Sequence, residues 1–330
     1  MAKLLHPEDG FCLNPHTATQ AEYIERIRKD GITAALEWLR EIKQDRELSI
    51  PQGIVFRWES EGEPVHRLEI SENPDFSDSW VWETTENTLH VDNFKTGTCY
   101  RWRVDGSRPR QFFTMPVHPR FIRLDGVLNV RDIGGIHIRQ GLVYRGSAID
   151  APFAITEAGA REFREHLQIK TELELRMDGD PGPSVVSGIQ KITLPYRPYW
   201  EVFEPRHKEG LRQIVALLAR EEIYPIYIHC MGGADRTGMI ALYLRALLGE
   251  SDEDIHLDYE LTALSTYAAG AKEGADGFRS RYAPYYQAFL EQLQSYAPGQ
   301  PLNAAVPAFL RACGIPQEQL DTIRTILRRS

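Results

Sequence analysis

Cysteine is scarce in this chain: Cys12, Cys99, Cys230 and Cys313 are spread over 330 residues. No pair has the spacing of a zinc site or a disulfide framework, so zinc is rejected and a reducing compartment is anticipated. Basic excess is also missing. Lys and Arg total 38 against 47 Asp and Glu, a formal net charge of −9, which argues against nucleic acid or an anionic membrane surface as the main partner. No run of 18 apolar residues occurs, so no integral membrane segment is expected. The opening Met1 to Asp9 meets charge before a signal-peptide core forms, and the chain as given reads as cytoplasmic, with secretion the alternative for a chain whose leader has been removed. Repeats and low-complexity tracts are absent. Arg324, Arg328 and Arg329 make a small basic cluster at the end, which we read as complementing a helix dipole.

What is present suffices for a large core. With 42% hydrophobic residues and six tryptophans in 330 positions, the chain predicts two domains, or one domain with an addition. Residues 1–49 hold two helical patterns, about Ala18 to Lys29 and Thr33 to Lys43, separated at Gly31, with apolar faces suited to docking. Residues 50–116 change character. Short runs at Ile54 to Trp58, His66 to Ile70, Trp80 to Glu83, Leu89 to Val91, Cys99 to Val104 and Gln111 to Thr114 alternate with turn clusters, as in a small all-β sandwich. Trp58 and the alternation Tyr100, Trp102, Val104 resemble a fibronectin type III module, with the aromatics read as core.

Residues 117–330 read as an α/β domain with a mostly parallel sheet flanked by helices. Candidate strands are Leu142 to Arg145, Thr171 to Arg176, Ile189 to Leu194 and Tyr224 to His229. Thr156 and Ser251 are candidate helix caps. Leu211, Ile214, Val215 and Leu218 form a helical stripe, and the last seventy residues are expected to be mainly helical.

The most informative stretch is His229-Cys230-Met231-Gly232-Gly233-Ala234-Asp235-Arg236-Thr237-Gly238. It sits between a β-branched run and an apolar helical run, hence on a strand-to-helix turn. N–H groups of Met231, Gly232, Gly233, Ala234 and Asp235 converge there with the helix dipole, an anion site in the making. Cys230 at this point is held as thiolate and becomes a nucleophile. Arg236 can grip two phosphate oxygens in the plane of its guanidinium. Thr237 can donate its hydroxyl to the cysteine sulfur, and His229 can orient the loop by hydrogen bonding.

A second set of residues joins this loop. Asn129-Val130-Arg131-Asp132-Ile133-Gly134-Gly135, then Tyr144-Arg145-Gly146-Ser147, Glu174-Leu175-Arg176 and the loop itself resemble the bacterial tyrosine-protein phosphatase family, which includes atypical lipid phosphatases. The likeness runs from about residue 118 to the C-terminus. It implies a cysteine-phosphatase fold without metal or cofactor, with Cys230 as nucleophile and Arg236 as phosphate ligand. Arg131, Asp132 and Arg145 are either accessory substrate residues or a structural ion-pair network.

Two departures shape the functional expectation. Ala234 stands where many phosphoinositide-directed relatives have lysine. No aspartate lies between Pro181 and Ala234, where many cysteine phosphatases keep their general acid. Asp235 is therefore the first candidate for the acid, with Asp178 the alternative and Glu201 and Glu204 behind it. The expected activity is hydrolysis of a phosphorylated protein or small phosphomonoester through phosphocysteine, phosphotyrosine first. The alternatives are a phosphoinositide or inositol-phosphate phosphatase and a catalytically weak phosphate-recognising protein.

Overall fold

The computed structural model describes residues 2–43, 46–60, 64–177, 182–269 and 284–329. The chain divides into two compact units, residues 1–17 with 51–122, and residues 18–50 with 123–330. This division cuts across the boundaries read from sequence. The first 49 residues are shared out, because Lys3–His6 (β1) and Phe11–Leu13 (β2) are strands that pair with later ones, whereas Ala18–Lys29 (α1) and Ile32–Lys43 (α2) belong to the other unit.

The first unit is built from β1 and β2 with Ile54–Glu59 (β3), His66–Ser71 (β4), Ser79–Thr84 (β5), Thr88–Val91 (β6), Cys99–Val104 (β7) and Arg110–Thr114 (β8). One sheet runs β1-β3-β6 and the other β2-β8-β7-β4-β5. All pairs are antiparallel except β2 with β8. Burial alternates strictly along β3 and β7, so Phe56, Trp58, Tyr100 and Trp102 fall on inner faces. With Phe94 and Phe112 they make one aromatic core, in which Phe56 meets Trp102 edge to face at 5.0 Å. Arg120–Phe121 (β9) closes this stretch.

The second unit carries Arg131–Asp132 (β10), Val143–Gly146 (β11), Thr171–Glu174 (β12), Gln190–Thr193 (β13) and Ile226–His229 (β14). Their order is β13-β12-β14-β11-β10. The pairs β11/β14, β12/β14 and β12/β13 are parallel, and β10 is antiparallel to β11. The central strand β14 is buried throughout and ends at His229, so the phosphate loop leaves the carboxyl end of the middle of the sheet.

Helices follow: Glu157–Arg161 (α3), Lys208–Leu218 (α4), Asp235–Leu247 (α5), Asp252–Glu260 (α6), Thr266–Ala269 (α7), Pro284–Gln294 (α8), Leu302–Ala312 (α9) and Gln317–Leu327 (α10). The Thr156 side chain caps α3 by accepting from the Gly159 N–H, and Ser251 caps α6 by accepting from Asp254. Helix α5 is buried on all sides from Thr237 to Leu247, as an apolar stretch without a polar face must be. Its N-terminus is thereby fixed in the middle of the unit.

Candidate active site

The loop from Cys230 to Ala234 owes its shape to what holds its carbonyls. The Met231 carbonyl accepts from the Ala148 N–H (3.0 Å), Gly232 from Asn129 Nδ2 (2.9 Å), Gly233 from Arg145 Nη2 (2.6 Å) and Ala234 from the Gly238 N–H (2.8 Å). Four successive carbonyls are thus spent on donors outside the loop or further along the helix. The first-turn N–H groups of α5 lack intrahelical acceptors by construction, so donors gather on the side where an anion would sit. Gly233 has φ +65°, and a Cβ there would collide with the Gly146 backbone; a Cβ on Gly232 would fall inside the Tyr267 ring. The two glycines are required by close approach on both sides.

Behind the loop lies a buried charged network centred on Asp258 of α6. Asp258 accepts from Arg131 Nε (2.8 Å) and from Arg145 Nη1, and Arg245 stands 3.7 Å away. Arg131 also donates to Asn129 Oδ1 (2.7 Å). Two routes therefore run from one carboxylate to the loop, through Arg131 and Asn129 to Gly232, and through Arg145 to Gly233. Burial alone would raise the Asp258 carboxyl, but the three guanidinium groups outweigh it and hold it well below the ordinary carboxylate range. Arg131 is pulled down to about 10, first by burial and then by Arg145. Arg131 and Arg145 are fully buried, so the ion-pair reading fits them. Asp132 accepts from the Gly134 N–H (2.7 Å) and the Gly141 N–H (2.6 Å), both in its own part of the chain.

His229 is anchored from the neighbouring strand. Its Nε2 lies 2.9 Å from Glu172 Oε1 and 3.8 Å from Glu174 Oε2. Burial pushes the Glu172 carboxyl up, while His229, Ser184 and Lys191 together hold it below its ordinary value. Glu172, Glu174 and His229 are close enough to surround a metal ion. Arg176, however, already donates to both oxygens of Glu174 from Nε at 2.9 Å, and the Lys191 ammonium lies 3.7 Å from Glu172. The carboxylates already have their counter-charges, so the donor set fits an ion-pair cluster that steadies His229.

Facing the anion seat, Cys230 is 4% exposed. Arg236 Nη1 is buried without a partner among the described residues, and a guanidinium N–H so placed can donate to an anion's oxygen. The Thr237 hydroxyl is likewise buried without a partner, so the bond to the cysteine sulfur anticipated from sequence is not formed. Asp235 and Arg236 open onto a cleft of about 500 Å³ walled by Tyr196, Tyr199, Trp200 and Tyr285. The Tyr199 hydroxyl donates to Asp235 Oδ1 and lies 2.8 Å from the Tyr259 hydroxyl. Glu201 lines the same cleft with Arg197 at 3.8 Å, and Glu204 is paired with Arg206. Asp178 lies outside the described residues.

Sequence reasoning did not single out Asp258, Glu172, Tyr199 or Tyr267. The only local hint was that Arg131 and Arg145 need a carboxylate once buried. Asp258 meets that need from more than 110 residues away.

A thiol at the carboxyl end of a central parallel strand, a loop with its carbonyls turned away, and an arginine in the next helix with its Nη1 buried and unpartnered among the described residues define a cysteine-dependent phosphatase. A model of the tyrosine phosphatase family matches residues 122–329, more than half of the chain, and the protein belongs to that family. It is a phosphomonoester hydrolase. No curated protein matches the chain significantly. Among solved structures, the core catalytic domain of a PP-IP phosphatase from S. cerevisiae, in complex with citrate, is 20% identical, with a TM-score of 0.31, covering 48% of this chain and 90% of that one. No helix among the described residues is long and apolar enough to cross a membrane.

Proposed function

We propose that this phosphatase acts on phosphotyrosine or a related aryl phosphate. Cys230 Sγ attacks phosphorus, the ester P–O bond breaks, and the leaving oxygen takes a proton from Asp235. Water then gives a proton to the Asp235 carboxylate as it attacks phosphorus, the S–P bond breaks, inorganic phosphate leaves and the thiolate is restored. Arg236 and the loop N–H groups bind the equatorial oxygens throughout. Asp235 is suited to serve both steps because Tyr199 holds its carboxyl at the mouth of the loop.

The observation that carries the substrate assignment is the cleft. Its walls are largely aromatic, and its charged groups balance, Arg197 near Glu201 and Arg236 beside Asp235, so no positive charge is left over for phosphates beyond the one that Arg236 binds. Such a surface suits a ring bearing one phosphate better than a ring bearing several. The test compares kcat/KM for a phosphotyrosine peptide and for an inositol polyphosphate at physiological salt, with Cys230→Ser as the control that abolishes turnover yet still binds. Preference for the inositol polyphosphate would overturn the assignment. Binding without turnover would leave a phosphate-recognising protein.

The sandwich supports the fibronectin type III-like reading through its strand order, three strands against a sheet that keeps β5-β4-β7-β8 contiguous. We assign the catalytic body to residues 18–50 and 123–330. Four free thiols support residence in a reducing compartment.

A further inference from the structure

Helices α1 and α2 lie in sequence between β2 and β3, yet the stretch that includes them and runs on to residue 50 is bonded to the end of α6 and to the segment joining it to α7. The Tyr23 hydroxyl donates to the Glu260 carbonyl at 3.4 Å. Lys43 Nζ donates to the carbonyls of Ala263 and Ser265, and the Leu48 N–H to that of Leu264 at 3.0 Å. Glu47 Oε2 accepts from Ser265 Oγ (2.9 Å), the Thr266 N–H (2.8 Å) and Thr266 Oγ1 (3.0 Å).

The last set is a helix cap delivered from 219 residues away. Helix α7 begins at Thr266, and the first N–H groups of a helix have no intrahelical acceptors. A carboxylate on its first N–H and at the positive end of its dipole supplies what it lacks. The second residue of that helix is Tyr267. Its ring packs on Gly232 of the phosphate loop and meets Phe153 edge to face at 6.1 Å. Burial raises the Tyr267 hydroxyl, Cys230 raises it further and Arg236 lowers it, which places the ring within the field of both.

We infer that Tyr267 is a substrate-facing wall of the phosphate seat that packs against the carbon frame carrying the phosphate, and that Glu47 and Lys43 are positioning residues holding it there. This rests on the phosphatase reading above. Asp235 and Arg236 open onto the aromatic cleft, while Tyr267 occupies the Gly232 side of the same loop, so the seat has an aromatic group on each flank. A ring beside the anion site adds affinity for aryl groups and nothing for bare phosphate.

The test measures binding by calorimetry in the full-length Cys230→Ser protein, with phenyl phosphate and inorganic phosphate as probes. Tyr267→Ala should weaken phenyl phosphate by roughly three- to tenfold and leave inorganic phosphate within about twofold, and Tyr267→Phe should retain both. Glu47→Gln should reproduce the selective loss, and adding it to Tyr267→Ala should cost nothing more, since a residue acting through another has no effect once that one is gone. Equal weakening of both probes by Tyr267→Ala would reduce the ring to loop packing and overturn the wall. Full additivity of the two substitutions would overturn the positioning role. Failure of inorganic phosphate to bind Cys230→Ser would instead defeat the phosphatase reading itself.

Discussion

Trp102 and Asp258 are both buried, one among the rings of the first unit and the other among three guanidinium groups behind the phosphate loop. Around Trp102 the forces are non-directional: apolar area leaves water, and several ring arrangements would bury it nearly as well. Around Asp258 the contacts have direction, and those with Arg131 and Arg145 lead on to loop carbonyls, the first through Asn129 and the second directly. Burying charge carries a desolvation penalty that an apolar core would avoid. What it supplies here is orientation, because a guanidinium that must satisfy Asp258 can offer its remaining N–H only where the Gly233 carbonyl is.

The sharpest way to break this comparison is to remove the centre of each region. Asp258→Asn leaves Arg131, Arg145 and Arg245 without their shared anion and should cost about 3–5 kcal/mol in denaturant unfolding, the scale for one partner of a buried ion pair. Surviving folded protein should also lose phosphate affinity, since the loop carbonyls lose their restraint. Trp102→Ala should cost about 3–5 kcal/mol as well, by cavity formation, but KM for an aryl phosphate should stay unchanged in the folded fraction. If both substitutions moved KM alike, the distinction between a packing core and an orienting network would fail.

Acid should separate the regions again. Asp258 and Glu172 are both held below their ordinary values in the folded protein. Their stabilisation is therefore complete above the unfolded-state values of about 3.9 and 4.3 and is lost as pH falls through the lower folded values. Stability should be insensitive to these two groups near neutrality and should fall steeply below about pH 4. The pH dependence measured by unfolding should flatten in that window for Asp258→Asn and not for Trp102→Ala.

Asp235 tests the chemistry that the network serves. If it protonates the leaving oxygen, Asp235→Asn should slow alkyl phosphates by roughly 10²–10⁴-fold and aryl phosphates with good leaving groups far less, because only poor leaving groups need the proton. Equal losses on both would assign Asp235 to holding Tyr199. The same comparison on Tyr199→Phe should give a smaller loss in the same direction, since the hydroxyl only orients the carboxyl.

Legibility in the sequence follows the same division. The loop that carries Cys230, Arg236 and the glycines was readable because a strand, a turn and a helix adjoin in sequence. Strands of the first unit were readable from alternation, as at Cys99–Val104, where burial follows the apolar positions, and the wholly buried strand Ile226–His229 of the second from its apolar, β-branched run. The partners of the loop were not. Asp258 sits on a helix with charges in its first turn and looks like any solvated acid until the fold brings it under Arg145. Glu47 is equally anonymous, and Tyr267 reads as one apolar residue among many. The short strands β1 and β2 were missed because three or four residues carry too little period to register.

The smallest expected effect lies at Ala234, the last loop residue before α5. Its side chain is buried and its carbonyl faces the first helical turn. A lysine there would have to extend toward the anion seat to keep its ammonium solvated or paired. Ala234→Lys should therefore raise the specificity constant for an inositol polyphosphate relative to a phosphotyrosine peptide by about tenfold, or ~1.4 kcal/mol. Because the added charge would meet phosphates beyond the one bound in the loop, the gain should shrink as salt shortens the screening length from about 10 Å at 0.1 M to about 3 Å at 1 M. A gain that ignored salt would mean the lysine contacts the loop-bound phosphate directly. No gain would mean that the aromatic walls of the cleft, rather than the charge of the loop, decide which ring is admitted.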